Sequence, residues 1–121
     1  MRVAVVTEWF DARGGGVAVH VKYLTEFLMR CSIEVEIITG CWNPEEIPIN
    51  APVRTIKGPK DPFFRLNISP WTSKEMREII KKGDFDVVHA HHAFARMPLS
   101  ALSIARDLGI RSILTTHTVS F

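Results

Sequence analysis

The sequence predicts an α/β protein: an open, Rossmann-like parallel sheet with helices on both faces and strand order 3-2-1-4-5. Three observations carry this. Short runs rich in valine and isoleucine recur along the 121 residues, each ended by turn residues. Such near-continuous apolar runs suit parallel strands covered on both faces. Between them lie stretches with apolar residues at helical spacing. Strands alternating with helices form βαβ units and hence a parallel sheet. The order puts a topological switch between the first and fourth strands, where open α/β sheets bind their ligands.

Residues 2–7, Arg-Val-Ala-Val-Val-Thr, make the first strand. A loop follows at 8–13, and Gly14-Gly15-Gly16 leads into a helix. Its expected inner face is Val17, Val21, Leu24 and Leu28, spaced i, i+4, i+7 and i+11. Residues 33–39 make the second strand, ended by Gly40. A polar loop with three prolines leads to a third strand at 53–57, stopped by Gly58-Pro59.

The next helix starts near Ser69-Pro70, because proline suits a first helical turn. Thr72 and Glu75 have the spacing of a capping box. Met76, Ile79 and Ile80 form its apolar face. Lys81-Lys82-Gly83 ends it, with cations at the negative end and glycine just beyond. The fourth strand is Asp86-Val-Val-His-Ala-His-His92. Pro98 opens a third helix, with Ala101, Leu102, Ala105 and Leu108 inward and Gly109 closing it. Residues 111–116 make the fifth strand, followed by His117-Thr118.

Composition bounds the function. Fifteen Lys and Arg against thirteen Asp and Glu give a net charge of +2, which argues neither for nor against nucleic acid; no nucleic-acid partner is expected. No run of eighteen apolar residues spans a membrane. Glu8 interrupts the first apolar run too early for a signal peptide, so a cytoplasmic location is expected. Cys31 and Cys41 flank the second strand, which would hold them about 30 Å apart. That is too far for a disulfide, so two free thiols are expected.

Alternation along the fourth strand puts His89 and His91 on one face. At the carboxyl end of a buried strand they read as site residues, or alternatively as satisfied core groups. Gly14-Gly15-Gly16 before a helix suits an anion such as a phosphate: glycine lets backbone approach, and the helix start offers unpaired N–H groups. The alternative is a plain turn. The dinucleotide fingerprint fits poorly, because Val19 stands where a third glycine belongs and no acid ends the second strand. His89 and His91 could share a metal, but no carboxylate follows to complete a ligand set. Three segments, the glycine loop, the histidine cluster and His117, are expected to meet at one rim.

Four motifs in order, Val3-Ala-Val-Val-Thr7, Gly-Gly-Gly-Val-Ala-Val-His20, Phe85-Asp-Val-Val-His-Ala-His-His92 and Thr115-Thr-His-Thr118, resemble the N-terminal domain of family 4 glycosyltransferases. The stretch 89–121 is similar to the catalytic subunit of phosphatidylinositol N-acetylglucosaminyltransferase and its prokaryotic relatives. The resemblance implies a retaining enzyme of the GT-B fold: two Rossmann-like domains with the active site between them. It implies His117 as the catalytic histidine beside the transferred sugar. It implies substrate-binding roles for Gly14, Gly15, Gly16, His20, His89, His91 and Thr118. No metal or other cofactor is implied, and the donor is a nucleoside diphosphate sugar. Relatives often carry an aromatic followed by proline where this sequence has Phe10-Asp11-Ala12-Arg13. The donor nucleotide sits mainly in a C-terminal domain that 121 residues do not include. The chain is therefore expected to be an incomplete, acceptor-side domain at 1–121, inactive alone. The other reading is a nucleotide- or phosphate-binding domain without chemistry.

Residues 53–82 hold eight basic side chains against three acidic ones. Phe63, Phe64, Leu66, Ile68 and Trp71 are interleaved with them. Cations beside aromatics, leading into an amphipathic helix, suit the surface of an anionic bilayer. Peripheral membrane contact through 57–82, toward a lipid acceptor, is expected on that ground. The alternative is that the aromatics pack inward and the charges form a solvated face.

Overall fold

The computed structural model describes residues 1–8, 10, 15–40, 47–56, 70–91 and 96–116. Eight elements follow in order: β1 (Arg2–Thr7), α1 (Gly15–Arg30), β2 (Glu34–Thr39), β3 (Val53–Thr55), α2 (Pro70–Lys82), β4 (Val87–His91), α3 (Arg96–Asp107) and β5 (Arg111–Thr115). The strands form one sheet in order β3-β2-β1-β4-β5, and every pairing is parallel. The predicted topology is the observed one.

Alternation along the strands divides the core in two. Ala4, Val6, Ile38 and Val88 face α2 and α3, meeting Met76, Ile80, Met97, Ala101 and Ala105. Val3, Val5, Val35 and Ile37 face α1, meeting Ala18 and Val21. Phe10, just past β1, is fully buried in this second cluster and anchors the start of the loop. The rim at the amino ends of the strands is tied by charge. The Arg2 guanidinium reaches Glu34 at 2.8 Å and Glu36 at 3.7 Å, and Arg54 reaches Glu36 at 2.7 Å. The Arg2 amide donates to Asp86, joining β1 to the approach of β4.

Four details differ from the expected ones. On α1 the buried residues are Ala18, Val21 and Thr25, while Leu24 is only half-buried. Val19, Tyr23 and Phe27 are exposed. Apolar residues nearly encircle this helix, so periodicity alone could not select the inner stripe. Thr72 is not a cap: α2 starts at Pro70, and Thr72 lies buried within its first turn. Gly83 is not the left-handed residue after α2; Asp84 takes that conformation, with φ 52°. Pro98 lies two residues inside α3, whose start is Arg96. Gly109 does close α3, with φ 71° and the Ile110 amide donating to the Ala105 carbonyl at 2.8 Å. Cys31 is an exposed free thiol; Cys41 lies outside the described residues.

Gly83 has a packing reason instead. A Cβ there would overlap the ring of Phe85, which is buried between the sheet and the helices and lies 5.1 Å beneath the Arg2 guanidinium. Arg2 also donates to the Gly83 carbonyl at 2.9 Å, which holds the turn against that ring. Gly83→Ala is expected to destabilise by about 1–3 kcal/mol, the usual range for overpacking. Urea denaturation measures it, and unchanged or greater stability would contradict this account of the turn.

Candidate functional site

The carboxyl ends of β1, β4 and β5 and the start of α1 come together on the α1 face of the sheet. His89 is in register with Val5 of β1, and His91, two residues on, alternates onto the same face. The two imidazoles stack, with ring centroids 4.2 Å apart and planes 28° apart. His91 is fully buried, and His89 is half-buried. His20, in the second turn of α1, presents an edge to His91 at 5.7 Å between centroids. On the far side, the His89 Nε2 lies 2.7 Å from the Thr115 hydroxyl at the end of β5.

Two of the three glycines also stand at this rim. Gly15 and Gly16 form the first turn of α1, at the end of the loop from β1. The backbone N–H groups of such a turn have no partner within the helix, and they favour an anion. A Cβ added at Gly16 would meet nothing within 4 Å among the described residues. Packing therefore does not demand glycine there, which leaves room for a ligand's approach.

The structure thus brings His20, His89 and His91 together. Gly14, His117 and Thr118 lie outside the described residues, as do His92, Phe63, Phe64, Leu66 and Ile68. Among the described residues no group of three or more His, Cys, Asp or Glu side chains is arranged to hold a metal ion. The rings instead meet face to face and edge to face.

Two groups at the rim were given no role at the site from the sequence. Glu8 follows β1 directly and is 1% exposed, and its carbonyl accepts a 3.2 Å bond from the Thr39 hydroxyl at the end of β2. Thr115 holds His89. The available signal was position: each stands at the carboxyl end of a strand, where α/β crevices lie.

Residues 14–121 match the model of Glycosyltransferase Family 4. The chain is 28% identical over 129 aligned residues to a component of phosphatidylinositol N-acetylglucosaminyltransferase from Arabidopsis thaliana, covering 98% of this chain and 28% of that protein. It is 29% identical to phosphatidyl-myo-inositol mannosyltransferase of Mycolicibacterium smegmatis, covering 99% of this chain and 32% of that protein. The chain therefore spans about a third or less of the length of these curated relatives. Among solved structures, a glycosyltransferase from Rickettsia africae superposes with a TM-score of 0.62 at 18% identity, over 98% of this chain and 30% of that one. The C-terminal domain of a hydrogenase from Pyrococcus furiosus superposes nearly as well, with a TM-score of 0.60 at 11% identity, over 93% of this chain and 89% of that domain. The architecture is shared across unrelated chemistries, so shape alone does not carry the function.

Proposed function

The chain belongs to glycosyltransferase family 4, and from that premise we propose that it forms the acceptor side of a retaining sugar-transfer site. The observation that carries the reading is the rim itself. The glycine-started helix, the stacked pair His89–His91 and the end of β5 converge at the topological switch of the sheet. A nucleoside diphosphate sugar is the donor, and its nucleotide is held mainly by a second Rossmann-like domain. Backbone N–H groups at Gly15 and Gly16 approach the diphosphate or the acceptor phosphate. His117 stands beside the transferred sugar, two residues beyond the last residue of β5. Neither a metal nor another cofactor takes part in this mechanism.

The acceptor we favour is a phosphatidylinositol-type lipid, the class named for both relatives above. Nucleotide binding separates this reading from that of a free-standing nucleotide module. In calorimetry, this domain alone is expected to bind nucleoside diphosphates weakly and NAD not at all. Tight NAD binding would move the chain to the dinucleotide class.

No described helix is long and apolar enough to cross a membrane. For a lipid acceptor, this domain would work at the bilayer surface. The basic stretch 53–82 would supply it, as an enzyme peripheral to the cytoplasmic leaflet. Part of that charge is already opposed within the chain: Arg54 by Glu36, Arg77 by Asp107 at 2.8 Å, and Lys82 by Glu78 at 3.8 Å. Lys81 is exposed. Exposed pairs of this kind contribute little and yield to an anionic surface. Each basic residue near such a surface adds about 1 kcal/mol. Cosedimentation with liposomes is expected to rise with anionic lipid, fall with salt and weaken in the Phe63→Ser/Phe64→Ser variant. Equal, negligible binding to neutral and anionic vesicles at low salt would remove the membrane contact.

A further inference from the structure

The histidines at the rim do not stand independently. In register, Thr115 pairs with His91 and Ile113 with His89. Yet the Thr115 hydroxyl bonds diagonally to His89, at 2.7 Å. Paired residues of neighbouring strands share a face, so Thr115, His89 and His91 all stand on the α1 side. Three contacts in series then cross the site: Thr115 to His89, His89 stacked on His91, and His91 against the edge of His20. They join β5, β4 and α1, the three elements that the proposed site needs in fixed relation.

A neutral imidazole has one N–H and one bare nitrogen, and a hydrogen bond at either nitrogen restrains the ring plane. The Thr115 hydroxyl can donate or accept, so it does not choose the tautomer but can hold the ring plane in either one. The ring plane matters here because His91 is stacked on it in a fully buried position. Rotation of His89 about its side chain would break that stack. Thr115 itself is only half-buried, at the end of an edge strand. Replacing its hydroxyl by a methyl group removes the bond while keeping volume and strand preference.

We propose that Thr115 is a positioning residue: its hydroxyl holds the ring plane of His89 and, with it, the stack on the buried His91 at the rim of the site. The effect on catalysis rests on the sugar-transfer reading above; the effect on the ring does not.

The test has two readouts. NMR of the histidine side chains in this chain reads the His89–His91 stack through ring-current shifts and contacts between the two rings. One stacked arrangement is expected in the wild type, averaged ring orientations in Thr115→Val, and recovery in Thr115→Ser. In the complete enzyme, Thr115→Val is expected to lower kcat about tenfold, the equivalent of one net hydrogen bond, with KM for the donor nearly unchanged. Thr115→Ser restores it. An unchanged stack in Thr115→Val overturns the proposal, and so does a lost stack with unchanged kcat. If the wild-type enzyme transfers no sugar while the stack responds as stated, the hold on His89 stands and the sugar-transfer reading falls.

Discussion

Replacing His117 by alanine in the complete enzyme is expected to reduce sugar transfer at least about 10²-fold, the low end of what a positioned catalytic group contributes. The argument comes from placement and from family membership. His117 follows β5, whose last residue, Thr115, is in register with His91 at the end of β4. β5 therefore ends at the same rim as β4, two residues before His117 in the sequence. The loss is expected in kcat, because a group beside the transferred sugar acts on the transition state more than on substrate binding. Steady-state kinetics with saturating donor measures it. A His117→Ala enzyme within about threefold of wild type would remove this residue from the mechanism.

The second large effect concerns the core. Ile38→Ala is expected to destabilise the domain by about 2–5 kcal/mol, the range for emptying a buried aliphatic position. Ile38 is fully buried on β2, an interior strand. It pairs with Val6 on one side and Arg54 on the other, and its side chain packs into the cluster beneath α2 and α3. Both neighbouring strands depend on it, so the surroundings have little freedom to collapse into the void. The melting temperature should fall by roughly 10 °C or more. A shift under about 2 °C would mean that this side of the sheet is loosely packed.

The sheet was legible in the sequence because its strands are short, apolar and separated by clear punctuation. Lys82-Gly83-Asp84 before β4 and Gly109 before β5 are such signals. The order followed from alternation of strand and helix. Helix faces were less legible. On α2 the apolar residues fall on one stripe, and Met76 and Ile80 are buried as the spacing implies. On α1 they surround the helix, and only the sheet beneath decides that Ala18 and Thr25 turn inward while Tyr23 and Phe27 do not. The conformation of a turn is harder still. Asp84 rather than Gly83 takes the left-handed backbone, because the close Phe85 ring claims the glycine for another purpose.

At the site, His89 and His91 could be placed on one face by counting residues, and the stack at 4.2 Å follows from that face. The edge contact with His20 could not be read, since it depends on how α1 crosses the sheet. Neither could the diagonal bond from Thr115, which joins residues 26 positions apart. Glu8 was visible as a lone acid ending an apolar strand, but its near-complete burial is a property of the packed rim.

Transfer of labelled sugar from a nucleoside diphosphate sugar to phosphatidylinositol in vesicles tests the central claim most directly. It compares the two-domain enzyme proposed above with this domain alone. The complete enzyme is expected to form a labelled glycolipid that keeps the anomeric configuration of the donor, and the domain alone to form none. A folded two-domain enzyme that transfers sugar to no lipid or sugar acceptor, or a product with inverted configuration, would contradict the account.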